Sequence, residues 1–190
     1  LQTEADVDHP LDQRILLAER ADESRPLRSR EEKEAPHAPG ESGQPLRTLV
    51  DSRTDDQVYA PSFSPDGRTV ALVVRRGAAV DLVLVDARTG AERPITNDRH
   101  HENSPTFSPD GRWIAFISDR KGQTNLWVME ADGSNPTRLT DDPAADQDPD
   151  WSPDGEKIAY CSNRLGDWEI YVMNADGTNE RLLTRNDDGA

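Results

Sequence analysis

Ser64-Pro65-Asp66-Gly67, Ser108-Pro109-Asp110-Gly111 and Ser152-Pro153-Asp154-Gly155 are three copies of one tetrapeptide, set 44 residues apart each time. A fixed period in the forties is that of a four-stranded propeller blade. The tetrapeptide is itself a turn. Ser opens it, Pro presets the backbone angle at the second position, Asp is tolerated at the third, and Gly closes a type I turn. Each copy is therefore expected to join two strands of a blade.

The flanking residues return at the same offset. Pro61 and Phe63, Pro105 and Phe107, and Pro149 and Trp151 precede the turn. Val70-Ala71-Leu72, Ile114-Ala115-Phe116 and Ile158-Ala159-Tyr160 follow it and read as a buried second strand. Arg76, Arg120 and Arg164 stand in register at its far end. Leu82-Val83-Leu84-Val85, Leu126-Trp127-Val128-Met129 and Ile170-Tyr171-Val172-Met173 form the third strand, and the fourth ends at Ile95-Thr96, Leu139-Thr140 and Leu183-Thr184. Asp132-Gly133 and Asp176-Gly177 suit a short second hairpin. In the first unit Gly90 is displaced by one, so a different turn is expected there. The blades are expected at about 57–98, 99–142 and 143–186, within a repeat region 45–190. Leu46-Arg47-Thr48-Leu49-Val50 reads as the outer strand of a preceding blade.

Residues 1–44 do not share the repeat. They are rich in Arg, Glu and Pro and hold no aromatic residue. Such a composition buries too little apolar surface to offset the entropy of ordering, so a disordered linker is expected. Within it, Ile15, Leu16 and Leu17 behind an Asp12 cap could form a short helix over Asp12 to Arg20. The net charge of −15 and pI near 4.6 exclude nucleic acid as a partner, because phosphate binding relies on clustered Lys and Arg. No stretch approaches the roughly 18 apolar residues of a membrane span. The lone Cys161 reads as a small strand residue.

The joint pattern of Pro-x-aromatic-Ser-Pro-Asp-Gly, a hydrophobic-Ala-aromatic strand, Ser118-Asp119-Arg120 or Ser162-Asn163-Arg164, and Leu-Trp-Val-Met before Asp-Gly-Ser-Asn resembles the WD-like propeller repeats of the TolB family. The resemblance runs from about Gln57 to Thr184. It implies an all-β fold of three four-stranded antiparallel blades, part of a propeller of six when complete. It also implies a periplasmic docking surface for envelope proteins, notably the peptidoglycan-associated lipoprotein. Propellers close with four to eight blades. The three repeats here are therefore expected either to belong to a longer array or to pair as a homodimer that completes a ring. Similar repeats occur in gating propellers of prolyl-oligopeptidase-like serine peptidases and in sensor proteins, so an accessory role in a larger hydrolase or signalling protein is the alternative function.

No catalytic residue, cofactor or metal is expected. A Gly-x-Ser-x-Gly nucleophile elbow is absent from the sequence. His100-His101-Glu102 reads as a solvated loop. The carboxylates of Asp146, Asp148 and Asp150 would share one strand face and could hold Ca²⁺, but an EF-hand would need Gly at Trp151 and Glu at Lys157. Binding is instead expected where the outer strand of one blade leads to the inner strand of the next, at one mouth of the channel. Tyr59, His101, Asn103, Asp146 and Asp148 occupy that connection. The repeated arginines read as ties between blades. Trp127 and Trp151 are expected in the core, with Trp113 and Trp168 partly exposed.

Overall fold

The computed structural model describes residues 16–17, 47–48 and 56–185. The linker expected over 1–44 otherwise lies outside the described residues. Leu16–Leu17 (β1) pairs antiparallel with Arg47–Thr48 (β2). The helix expected over Asp12 to Arg20 is thus a strand at Leu16–Leu17, because pairing with a distant segment of the same chain supplies the partner that two turns of isolated helix lack. Arg47–Thr48 is a strand whose partner is Leu16–Leu17, in a two-stranded sheet.

Three four-stranded antiparallel sheets follow, each in simple up-and-down order. The first holds β3 (Gln57–Phe63), β4 (Thr69–Arg76), β5 (Ala79–Asp86) and β6 (Glu92–Pro94). The second holds β7 (Glu102–Phe107), β8 (Trp113–Ser118), β9 (Asn125–Glu130) and β10 (Thr137–Arg138). The third holds β11 (Asp146–Trp151), β12 (Lys157–Ser162), β13 (Glu169–Asn174) and β14 (Arg181–Leu182). Among the described residues no helix is long and apolar enough to cross a membrane.

The turns form for local reasons. In each Ser-Pro-Asp-Gly the Gly amide donates to the Ser carbonyl at 2.8 Å, and the Gly takes a positive φ of 68°, 71° or 73°. The Ser hydroxyl donates to the Asp carboxylate two residues on, at 2.7, 2.6 and 2.5 Å. That carboxylate also accepts the backbone amide of Arg68, Arg112 or Glu156 at 3.0 Å. The second hairpins differ as expected: Gly133 and Gly177 bond back three residues, to Glu130 and Asn174, whereas Gly90 bonds back four, to Asp86.

Blades adhere face to face. One core joins Ala71, Val73, Leu82 and Leu84 of the first sheet to Phe107, Ile114, Phe116, Trp127 and Met129 of the second. The next joins Ala115, Ile117, Leu126 and Val128 to Trp151, Ile158, Tyr160, Tyr171 and Met173. Trp127 and Trp151 are buried in these cores, Trp113 is half-buried and Trp168 exposed. Strand alternation sends odd and even positions to opposite neighbours, and this is why both faces of a blade must be apolar.

Each inner strand breaks that alternation once. The ladder shifts between Tyr59 and Ser62, Asn103 and Thr106, and Gln147 and Asp150. At the same repeat position Ala60, Ser104 and Asp148 take φ of 51°, 48° and 50°. Non-glycine residues rarely adopt this region, at about 1–2 kcal/mol each, and each stands directly before a proline. These bulges turn the start of the inner strand relative to its end.

Candidate mouth of the channel

The bulge decides which side chains the inner-strand starts present. Asp146, Asp148 and Asp150 do not share one strand face: Asp146 is fully buried, while Asp148 and Asp150 are exposed. Glu102 is likewise fully buried, not part of a solvated loop. Burial is tolerable because each carboxylate is met by the arginine that repeats one strand later. Arg120 lies 3.3 Å from Glu102 Oε1 and 3.2 Å from Asp98. The Ser118 hydroxyl donates to the same Oε1 at 3.0 Å. Arg164 lies 2.9 Å from Asp142 and 3.8 Å from Asp146 Oδ1, with Glu180 at 2.6 Å on its other side. The Thr140 hydroxyl donates to Asp146 Oδ2 at 2.5 Å and accepts the Leu126 amide at 2.9 Å.

Both arginines also stack on aromatic faces. Arg120 sits 5.6 Å from Phe116 and 5.7 Å from Trp127, and Arg164 sits 4.3 Å from Tyr171. Each therefore joins the loop leaving one blade to the core and inner strand of the next. Burial pushes the Glu102 and Asp146 carboxyls above the usual carboxylate range. The Arg120 charge opposes this at Glu102, and the Thr140 and Ser162 hydroxyls chiefly oppose it at Asp146.

Around this buried layer lies a cavity of about 450 Å³, and Tyr59, His101, Asn103, Asp146 and Asp148 all line it. They come from the starts of β3, β7 and β11 and the residue preceding β7, not from the middle of the connecting loops. His101 is fixed by both neighbouring blades. Its Nδ1 lies 3.3 Å from Asp119 Oδ2 and its Nε2 3.3 Å from the Ala78 carbonyl, so both ring nitrogens face oxygen acceptors. Asn103 accepts the Ser104 amide at 2.8 Å. The Ser104 hydroxyl donates to Asp148 at 3.2 Å, linking equivalent positions of adjacent blades. Burial raises the Tyr59 phenol, against the opposing charge of Arg75.

Arg75, Ser104 and Gln147 share the lining and were passed over in the sequence. Ser104 had a legible signal, since it stands at the repeat offset of Asp148. Arg75 had none, being hidden beside the repeated Arg76. The arrangement is a polar cup of mixed charge on a rigid base. Among the described residues no group of three or more His, Cys, Asp or Glu side chains is placed to hold a metal ion. Cys161 is half-buried on β12, and burial raises its thiol, with Asp148 adding to the shift.

Comparison with known proteins agrees with this architecture. The TolB beta propeller domain family matches residues 42–189. A TolB-type structure from Agrobacterium tumefaciens is 31% identical, with a TM-score of 0.67 over 73% of this chain and 52% of that one. TolB from Acinetobacter baumannii is 27% identical, with a TM-score of 0.68 over 76% of this chain and 36% of that one. The chain thus spans about half the length of the first and about a third of the second. A puromycin-hydrolysing peptidase from Mycobacterium tuberculosis shares the fold at 18% identity, TM-score 0.62, over 76% of this chain and 24% of that one. No curated protein sequence matches the chain.

Proposed function

The chain belongs to the TolB β-propeller family, and on that premise we propose that it is a non-catalytic scaffold. It binds protein partners at the cup formed by the inner-strand starts, outside the cytoplasm, with envelope proteins such as a peptidoglycan-associated lipoprotein as the partner class. One observation carries the reading: Tyr59, His101, Asn103 and Asp148, drawn from three successive blades, border a single cavity. A layer of buried carboxylate–arginine pairs lies beneath them. Rigid strands supporting a varied polar rim are the usual basis of recognition. Donors and acceptors of both charges favour a polypeptide surface over a single small substrate.

The experiment is site-directed photo-crosslinking in a bacterial envelope. A photoreactive residue at exposed Gln147, which lines the cup, is expected to give discrete protein adducts that disappear with Asp148→Ala. The same group at exposed Arg68, beside the opposite turn, should give none. Equal adducts from both positions, or adducts indifferent to Asp148→Ala, would exclude the cup as the binding surface.

A further inference from the structure

A second concavity lies at the opposite end of the strands, between the Ser-Pro-Asp-Gly turns of the second and third blades. It encloses about 450 Å³. Its floor is the edge of the inter-blade core, with Trp113, Trp151, Val128 and Leu139. Its rim carries the carboxylates of Asp110, Asp154 and Asp176. Each is held below the usual carboxylate range, first by a hydroxyl donor, Ser108, Ser152 or Thr178, and then by a backbone amide. The rim is therefore anionic at neutral pH.

The corresponding groove between the first and second blades is built from the same repeat positions and differs where it counts. Thr69 stands in place of Trp113, and Arg93 in place of Thr137. Arg93 donates to the Asp132 carbonyl at 2.8 Å, so its cation is anchored at that groove's edge. Identical folds thus present one groove lined by an indole and the carboxylates of Asp110, Asp154 and Asp176, with Arg112 and Lys157 outside its lining, and one lined by a cation and no indole.

We propose that the groove between the second and third blades binds an extended peptide segment presenting an arginine or lysine beside an apolar side chain. The apolar side chain would lie on Leu139 and Val128, and the basic stem would cross the Trp113 indole with its cation among Asp110, Asp154 and Asp176. Aromatic faces and fixed carboxylates attract the same cation, and the complementarity of charge excludes acidic segments. This site is separate from the cup of the proposed function and does not depend on it.

The test is a titration of the isotope-labelled chain, at low salt, with the peptides acetyl-Arg-Leu-Arg-amide and acetyl-Glu-Leu-Glu-amide, followed by NMR of the indole N–H groups. The basic peptide is expected to shift Trp113 and Trp151 saturably, while Trp127 in the neighbouring core stays unmoved and the acidic peptide has no effect. Trp113→Thr, which copies the first groove, should weaken binding about fivefold. Asp154→Asn keeps the turn's hydrogen-bond acceptor and should weaken binding and its salt dependence without touching the fold. Equal shifts from the acidic peptide overturn the proposal. So do shifts confined to the cup, or no shift up to about 5 mM, where even a weak single-site contact would register. The wild-type peptide comparison stands whether or not the Trp113 variant folds.

Discussion

Arg164→Met is expected to destabilise the chain more than loss of the carboxylate that Arg164 covers. Asp146 has no solvent exposure, and Arg164 is the cation nearest its Oδ1 at 3.8 Å. Removing one partner of a buried pair leaves an uncompensated charge, at about 3–5 kcal/mol. Arg164 retains some solvent contact, 19% for its side chain, so about 3 kcal/mol is expected. Asp146→Val makes the opposite change. Valine already occupies this repeat position in the first blade, as buried Val58, and Arg164 keeps Asp142 and Glu180. Its cost is that of the Thr140 and Ser162 hydrogen bonds, about 1 kcal/mol each, offset in part by removal of a buried carboxylate. The double variant should then be more stable than Arg164→Met alone, a coupling of roughly 2 kcal/mol. Urea unfolding followed by tryptophan fluorescence reads all four proteins. If Asp146→Val costs as much as Arg164→Met, or the two changes simply add, the buried charge is not what Arg164 compensates.

Gly133→Ala should cost about 2–3 kcal/mol, because a Cβ there would lie 2.9 Å from Ile95 Cβ and 3.0 Å from the Ile95 carbonyl at a φ of 92°. Gly177→Ala, whose nearest contact is the flexible Leu139 tip at 3.4 Å, should cost less; thermal unfolding ranks the two. Glu102 and Asp146 titrate higher in the folded chain than in the unfolded one. Their contribution is therefore fully present below the unfolded carboxylate pKa and is lost as pH rises through the folded values. Glu102→Gln with Asp146→Asn should flatten that decline, measured as urea midpoint against pH. Ile170 and Leu183 are exposed, and Ile170 lies on the face of the third sheet that corresponds to Leu126 of the second, which is buried by the next blade. Ile170→Lys should reduce concentration-dependent association, read by light scattering coupled to size exclusion; an unchanged molar mass would show that this face does not self-associate.

The sequence by itself determined the period, the strand positions of the three blades and the turn types, because each depends on residues close together along the chain. Ser108 reaches Asp110 two residues away, and the Gly111 amide closes on the Ser108 carbonyl whatever packs above. The apolar runs Ile114-Ala115-Phe116 and Leu126-Trp127-Val128-Met129 marked strands for the same reason. Only the tertiary structure decided the chemistry of the inner-strand starts. A bulge at Asp148 overrode strict alternation, so Asp146 went inward and Asp148 outward, although both are aspartates two positions apart. The partners that make Glu102 and Asp146 tolerable arrive from other strands and loops, Arg120 and Asp98 in one case and Arg164, Thr140 and Asp142 in the other. Leu16–Leu17 was misread as helix because its strand partner lies some thirty residues away, at Arg47–Thr48. Local preference is written in neighbouring residues, whereas burial and charge pairing are set by chain segments that meet only once the blades have packed.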